Sequence, residues 1–196
     1  MELQRKTRAP ARVNRAPAKG RTLPAAVFTI GHSTQSLDEF LAILRAHGVK
    51  RLIDIRTIPR SRHNPQFNGD TLAAFLRRKG INYRHMKALG GLRHAQPDSL
   101  NMGWRNSSFR GFADYMQTDQ FAEAVDKLIE LAAEKPAAIM CAEAVPWRCH
   151  RSLVADALAV RGVAAFHIFS ATNARRHSLT PMAKVKGVTV TYPASA

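Results

Sequence analysis

Residues 27–56 read VFTIGHSTQSLDEFLAILRAHGVKRLIDIR, and this stretch decides the fold. Val27-Phe28-Thr29-Ile30 is a short apolar run of the kind that forms a buried strand, and it breaks at Gly31-His32-Ser33. Ser36-Leu37-Asp38-Glu39 then has the spacing of a capping box, and Phe40, Leu41 and Leu44 supply the apolar face of a helix that stops near Gly48. Arg51 to Arg56 is a second strand. Strand, helix and strand in this order predict two parallel strands joined by a crossover helix.

The alternation continues. Pro59 and the polar residues Ser61 to Asn68 form a loop, and a helix runs from Asp70 to Gly80. Ile81 to Met86 is a third strand, polar enough for a sheet edge. Leu89 to Gly111 is a long irregular segment, followed by helices at Phe112–Gln117 and Asp119–Glu134. Ala137 to Cys141 is a fourth strand, Ser152 to Arg161 a helix closed by Gly162, and Ala164 to Phe169 a fifth strand. Val188 to Tyr192 adds one more strand. The expected fold is α/β: a three-layer, open, mostly parallel sheet of about five to six strands with crossover helices.

Composition sets the limits. The 196 residues suit one domain, and 45% hydrophobic content is enough for a core. Residues 1–24 hold seven basic side chains against Glu2 alone and few large apolar residues, so a disordered basic arm is expected there, with a single α/β domain over residues 25–196. The arm carries +6 of the formal +16, leaving +10 on the rest, and Arg56 to Arg110 holds eleven basic residues against Asp70 and Asp98. Such a balance favours polyanions as partners, a nucleic acid or a nucleotide. No apolar run nears the ~18 residues that span a bilayer, and the N-terminus lacks the apolar block of a secretory signal. No membrane partner and a cytoplasmic location are expected, and the oligomeric state is not legible.

In an open parallel sheet, ligands gather beyond the carboxyl ends of the strands. His32 and Ser33, Asp54 and Arg56, Arg84 and His85, Cys141 and Glu143, and His167 fall at those ends. Residues 139–152, IMCAEAVPWRCHRS, hold both cysteines of the chain. Arg148, Arg151 and a helix start near Cys141 would lower a thiol pKa, whereas Glu143 would raise it and suits proton transfer. Glu143, Cys141, Cys149, His150 and Asp54 are therefore candidate catalytic residues. Arg56, Arg60, Arg148 and Arg151, with His32, Ser33 and Trp147, are candidate anion- or substrate-binding residues.

Simpler roles are available to several of them. Arg56 has Asp54 beside it, Arg151 has Asp156 five positions on, and the cysteines suit a bridge or a plain core. Trp104, Phe109 and Trp147 could stack on a base or plug a loop. Cys141, Glu143, Cys149 and His150 are acceptable metal-ligand types, but their spacing matches no recognised site, so neither metal nor cofactor is expected. The stretch shares a strand-cysteine-arginine plan with rhodaneses and protein phosphatases, yet Arg148 lies seven and Arg151 ten positions after Cys141, too far for that cradle. Cys141-Ala142-Glu143 looks like part of a cytidine deaminase motif, whose later cysteine pair is missing.

Gly31-His32-Ser33-Thr34, Asp54-Ile55-Arg56 with Pro59-Arg60-Ser61, Leu89-Gly90-Gly91, and Met140 to Glu143 through Cys149-His150-Arg151 occur in one order along the chain. On these motifs the chain resembles the Domain of Unknown Function 488 family over residues 26–170. The resemblance implies an α/β fold and landmarks at the strand ends, and no reaction. The function expected first is an enzyme acting on a phosphate-bearing substrate, a nucleotide or nucleic acid. The alternatives are a non-catalytic nucleic-acid-binding protein and a thiol-based sulfur-transfer protein of rhodanese-like chemistry.

Overall fold

The computed structural model describes residues 23, 24 and 26–194, so the expected basic arm lies outside the described residues but for Leu23 and Pro24. A six-stranded sheet runs in the order β3-β2-β4-β1-β5-β6. Its strands are β1 (Val27–Gly31), β2 (Arg51–Asp54), β3 (Asn82–His85), β4 (Ala137–Cys141), β5 (Ala165–Ser170) and β6 (Asn173–Arg176). The first five are parallel, and β6 returns antiparallel along β5 at one edge. The helices are α1 (Leu37–Ala46), α2 (Gly69–Arg78), α3 (Ser107–Tyr115), α4 (Asp119–Glu134) and α5 (Arg151–Ala159).

Alternation along the strands divides the core in two. Ile30, Leu52, Ala138 and Met140 pack against Phe40, Leu44, Leu72 and Leu76 of α1 and α2. Val27, Ile53, Ala137, Ile139 and Cys141 face the other way, against Phe112, Phe121, Val125, Leu128, Leu153 and Val154 of α3, α4 and α5. One layer of helices on each face is the expected three-layer α/β arrangement. The capping box is present: Ser36 Oγ accepts from Glu39 N at 3.2 Å, and Glu39 Oε2 accepts from Ser36 N at 2.8 Å. Among the described residues, no helix is long and apolar enough to cross a membrane.

Several elements differ from the sequence reading. Helix α3 begins five residues earlier than the apolar pattern implies, because Asn106 caps it through bonds from Ser108 N and Phe109 N. The β6 strand, NARR, has no apolar face for a periodicity argument to find, and it exists because it pairs with β5. Val188 to Tyr192 contributes β8 (Thr189–Thr191), which pairs with β7 (Lys184–Lys186) in a separate two-stranded sheet.

Helix α5 is buried from Arg151 to Leu158. A helix covered on every side is a central element, and this one carries three polar residues inward. Asp156 accepts from Tyr192 OH at 2.8 Å, Thr180 Oγ1 at 2.7 Å and Thr180 N at 2.9 Å, and so holds the C-terminal segment. It also meets His177 Nε2 at 2.8 Å. A carboxylate must be the acceptor there, which leaves His177 Nδ1 to accept from His167 Nε2 at 2.9 Å, and His167 Nδ1 to accept from the Thr29 hydroxyl at 2.7 Å. Burial lowers His167 to about 4, so its imidazole is neutral near pH 7.

Two consequences are measurable. Asp156→Ala strips the acceptor from a tyrosine, a threonine and a histidine at once, and chemical denaturation should show a loss of about 3 kcal/mol with the slope unchanged. His167 also makes stability pH-dependent. Between pH 6.5 and about 4 the unfolded chain binds a proton that folded His167 refuses, so stability falls as pH drops through this window. Denaturation midpoints of His167→Gln should depend less on pH over the same range, and an unchanged slope would contradict the assignment.

Candidate functional site

The chain leaves β1 through α1 to reach β2 on one side, and leaves β4 through α5 to reach β5 on the other. The adjacent strands β1 and β4 thus form the point where connections diverge, and a crevice opens beyond their carboxyl ends. The backbone extends the pairing past the strands: His32 N donates to Cys141 O and Ser33 N to Ala142 O. Ser33 takes a left-handed conformation, φ 49°, to make this turn. A pocket of about 300 Å³ lies here, with His32, Arg56, Cys141, Glu143, Cys149 and His150 in its lining.

The two cysteines meet at its floor. Both are unbridged and buried, and their sulfurs are 2.6 Å apart, with Cys149 donating to Cys141. Cys141 closes a fully buried strand, and Cys149 follows a single turn of 3-10 helix, Pro146–Arg148, that leads into α5. The side chain of Arg151, from the first turn of α5, is fully buried against them. Its Nη1 donates to Cys141 Sγ at 2.7 Å and also to Glu143 O, and its Nη2 donates to Ala144 O at 2.7 Å. Gly31 makes this possible, since a Cβ there would lie 1.7 Å from Glu143 O and 3.0 Å from Arg151 Nη1.

This environment separates the two thiols. Burial raises Cys141, but the Cys149 S–H and the Arg151 cation outweigh it and draw the thiol down to about 7. Burial and the adjoining Cys141 push Cys149 well above the ordinary thiol range. His150 is lowered to about 4 by burial, against the pull of the Ile55 carbonyl. Its Nε2 faces Ile55 O at 3.3 Å and therefore carries the proton, so the lone pair of Nδ1 faces Cys149 Sγ at 3.6 Å. Gly91 packs directly on this ring, where a Cβ would sit 3.0 Å from Nδ1.

A second polar cluster stands beside the thiols. Arg56 binds Asp54 through Nε at 2.9 Å and Nη2 at 2.5 Å, and its Nη2 also donates to Phe67 O at 2.7 Å. Tyr83 OH completes the carboxylate at 2.8 Å. His32 donates from Nδ1 to Ser33 O at 2.8 Å, leaving Nε2 to accept from Arg56 Nη1 at 3.2 Å, while its ring stacks on Phe67. Burial lowers His32 as well.

The sequence candidates therefore divide. Cys141, Cys149, His150, His32, Arg56 and Arg60 line the pocket, as does the exposed Glu143, whose backbone carbonyl rather than its carboxylate meets Arg151. Asp54 stands behind Arg56, Ser33 shapes the turn, and Arg148 is exposed outside the pocket lining. Trp147 faces a different cavity. The Arg56–Asp54 pairing that the sequence offers is present, whereas Asp156 bonds His177, Thr180 and Tyr192 and leaves Arg151 to the thiol. Tyr83, Phe67 and Thr57 were not singled out. They come from elements whose sequence gives no sign of which neighbours the sheet order supplies. Among the described residues, no group of three or more His, Cys, Asp or Glu side chains is arranged to hold a metal ion.

No curated protein and no solved structure matches the chain. A family model does, over residues 36–158: the domain of unknown function DUF488. The match begins after β1 and takes in β2, the glycine pair at residues 90 and 91, and the whole thiol-bearing connection from β4 into α5. With more than half of its length covered by that model, the chain belongs to the DUF488 family.

Proposed function

We propose that the protein is a thiol-dependent enzyme performing dithiol–disulfide exchange on a small disulfide, with Cys141 as nucleophile and Cys149 as resolving thiol. The observation that carries this reading is the contact of two unbridged sulfurs at 2.6 Å with a buried guanidinium on one of them. An attacking thiol works best when its pKa lies near the ambient pH, and Cys141 is drawn to about 7.

The chemistry balances within the site. The Cys141 thiolate attacks one sulfur of a substrate R–S–S–R′, forming a mixed disulfide and releasing R′S⁻, which takes a proton. Cys149 then attacks Cys141 Sγ as its proton passes to the departing RS⁻, which leaves as RSH. The chain's two thiols are oxidised to a disulfide while the substrate becomes two thiols, and an external thiol restores the reduced form.

The geometry favours this over phosphate recognition. Arg56 is neutralised by Asp54, and the Arg151 Nη groups go to Cys141 and two carbonyls while its Nε is buried without a partner among the described residues, so Arg60 is the lining cation to which no such bond is assigned. A phosphate needs converging free donors.

Thiol reactivity checks the electrostatics. Iodoacetamide should modify Cys141 with a midpoint near pH 7, and Arg151→Met should raise that midpoint and slow labelling at pH 7 by about tenfold. Labelling of both wild-type thiols only at the pH of an ordinary cysteine would sink the nucleophile assignment, and circular dichroism confirms that the variant is folded.

The order of events has its own readout. With oxidised glutathione, wild type should give the Cys141–Cys149 disulfide, Cys149→Ser should accumulate glutathione on Cys141, and Cys141→Ser should give neither at a comparable rate. Equal reaction of the two single variants would contradict the division of labour.

A further inference from the structure

A second cavity, about 650 Å³, has Pro146 and Trp147 of the Pro146–Arg148 turn in its lining and shares no lining residue with the thiol pocket. Both tryptophans of the chain line it, with Phe169, Arg175, Arg176 and Met182. Among the described residues, no aspartate or glutamate does.

The aromatic groups are set differently. Trp104 is fixed by stacking on Phe109 at 4.6 Å and by edge contact with Tyr192 at 5.6 Å. Its indole Nε1 is buried and has no acceptor among the described residues, a condition that is costly unless something satisfies it. Trp147 is 65% exposed and meets Phe169 only at 6.3 Å, so a large planar surface is left uncovered. An exposed tryptophan at a cavity mouth is costly to hydrate and gains most from a flat partner.

The polar groups narrow the occupant. His167 and His177 line the cavity, but their ring nitrogens are committed to each other, to Thr29 and to Asp156. They offer no free donor. Arg175 and Arg176, adjacent on the edge strand β6, are exposed, and the Arg175 guanidinium stands 5.7 Å above the Phe169 ring. Two cations at the rim, no acid in the lining, an indole N–H without an acceptor and an open aromatic plane fit a flat, acceptor-bearing ring with an anionic group attached.

We propose that this cavity binds a nucleotide unit, its base against Trp147 and Phe169 and its phosphate at Arg175, with Arg176 adding positive charge from the neighbouring position of the edge strand. The site is separate from the thiol pocket and does not rest on the exchange chemistry. The unit is either a free nucleotide or one residue of a single strand, since base stacking with arginine contacts serves both.

Because both tryptophans line the cavity, intrinsic fluorescence reports on it directly. Titration with adenosine monophosphate and with oligoadenylate should quench the emission, and adenosine alone should bind at least about tenfold more weakly than its monophosphate. Trp147→Ala should weaken binding by about tenfold, followed by competition with a fluorescent nucleotide, as should Arg175→Ala with Arg176→Ala. These side chains are exposed, so the variants should fold, and Cys141→Ser should bind as wild type does. Comparable affinity for the monophosphate and the strand identifies a free nucleotide, whereas markedly tighter strand binding identifies single-stranded nucleic acid. The proposal is overturned if neither probe binds, if the Trp147 and arginine variants bind unchanged, or if an aliphatic phosphate binds as well as the nucleotide.

Discussion

The guanidinium of Arg151 is the constraint around which the two central strands, their turns and α5 are arranged. A buried cation carries a desolvation cost of several kcal/mol unless acceptors surround it. Here the acceptors are the carbonyls of Glu143 and Ala144 and the sulfur of Cys141, all from the connection that leaves β4. The arginine thereby ties the beginning of α5 back to the end of the strand that precedes it. Gly31 in β1 must be without a side chain for the carbonyl and the guanidinium to fit, so the neighbouring strand is part of the same arrangement.

The sheet also separates two charges of equal sign. Arg56 and Arg151 both serve the carboxyl ends of the central strands, but Asp54 follows Leu52 on the α1 and α2 face, whereas Cys141 lies on the α5 face. Arg56 has a carboxylate, completed by Tyr83, and that cluster is electrically closed. Arg151 has no carboxylate partner among the described residues, and its guanidinium instead meets the Cys141 thiol, a group that can acquire negative charge. The difference between an inert ion pair and an activated thiol therefore comes from which face of the sheet each arginine enters.

Much of this was legible in the sequence, and the limits have physical causes. Period-two and period-3.6 patterns exposed β1, β2, β4, α1 and α4, because each presents a continuous apolar face to one layer of the core. The end-of-strand rule collects Cys141, Arg56 and His32, and the composition of residues 139–152 adds Cys149, His150 and Arg151. What it could not assign was partnership. Arg151 and Asp156 share a helix, yet α5 is buried on every side, so one residue turns to the strand ends and the other to Thr180 and Tyr192. Glu143 had the right residue type at the right strand end, but it supplies its carbonyl while its side chain is exposed. Strand β6 is polar and edge-bound, and pairing with β5 makes it a strand.

On the exchange reading, the same guanidinium also sets the direction of the redox couple. The reduced pair is stabilised because the Cys141 thiolate answers the charge of Arg151 and accepts the Cys149 proton. Forming the disulfide removes both interactions and leaves the buried cation with neutral sulfur and carbonyl neighbours. Whatever stabilises the dithiol form relative to the disulfide makes that disulfide a better oxidant, and each 1.4 kcal/mol corresponds to about 30 mV for a two-electron couple. A strand-end cysteine beside a buried arginine thus gives a disulfide that an external thiol reduces readily, so the step that restores the dithiol is the favoured half of the exchange. The feature that lowers the thiol pKa and the feature that makes the disulfide labile are one ion contact, so neither property can be tuned in this site without the other.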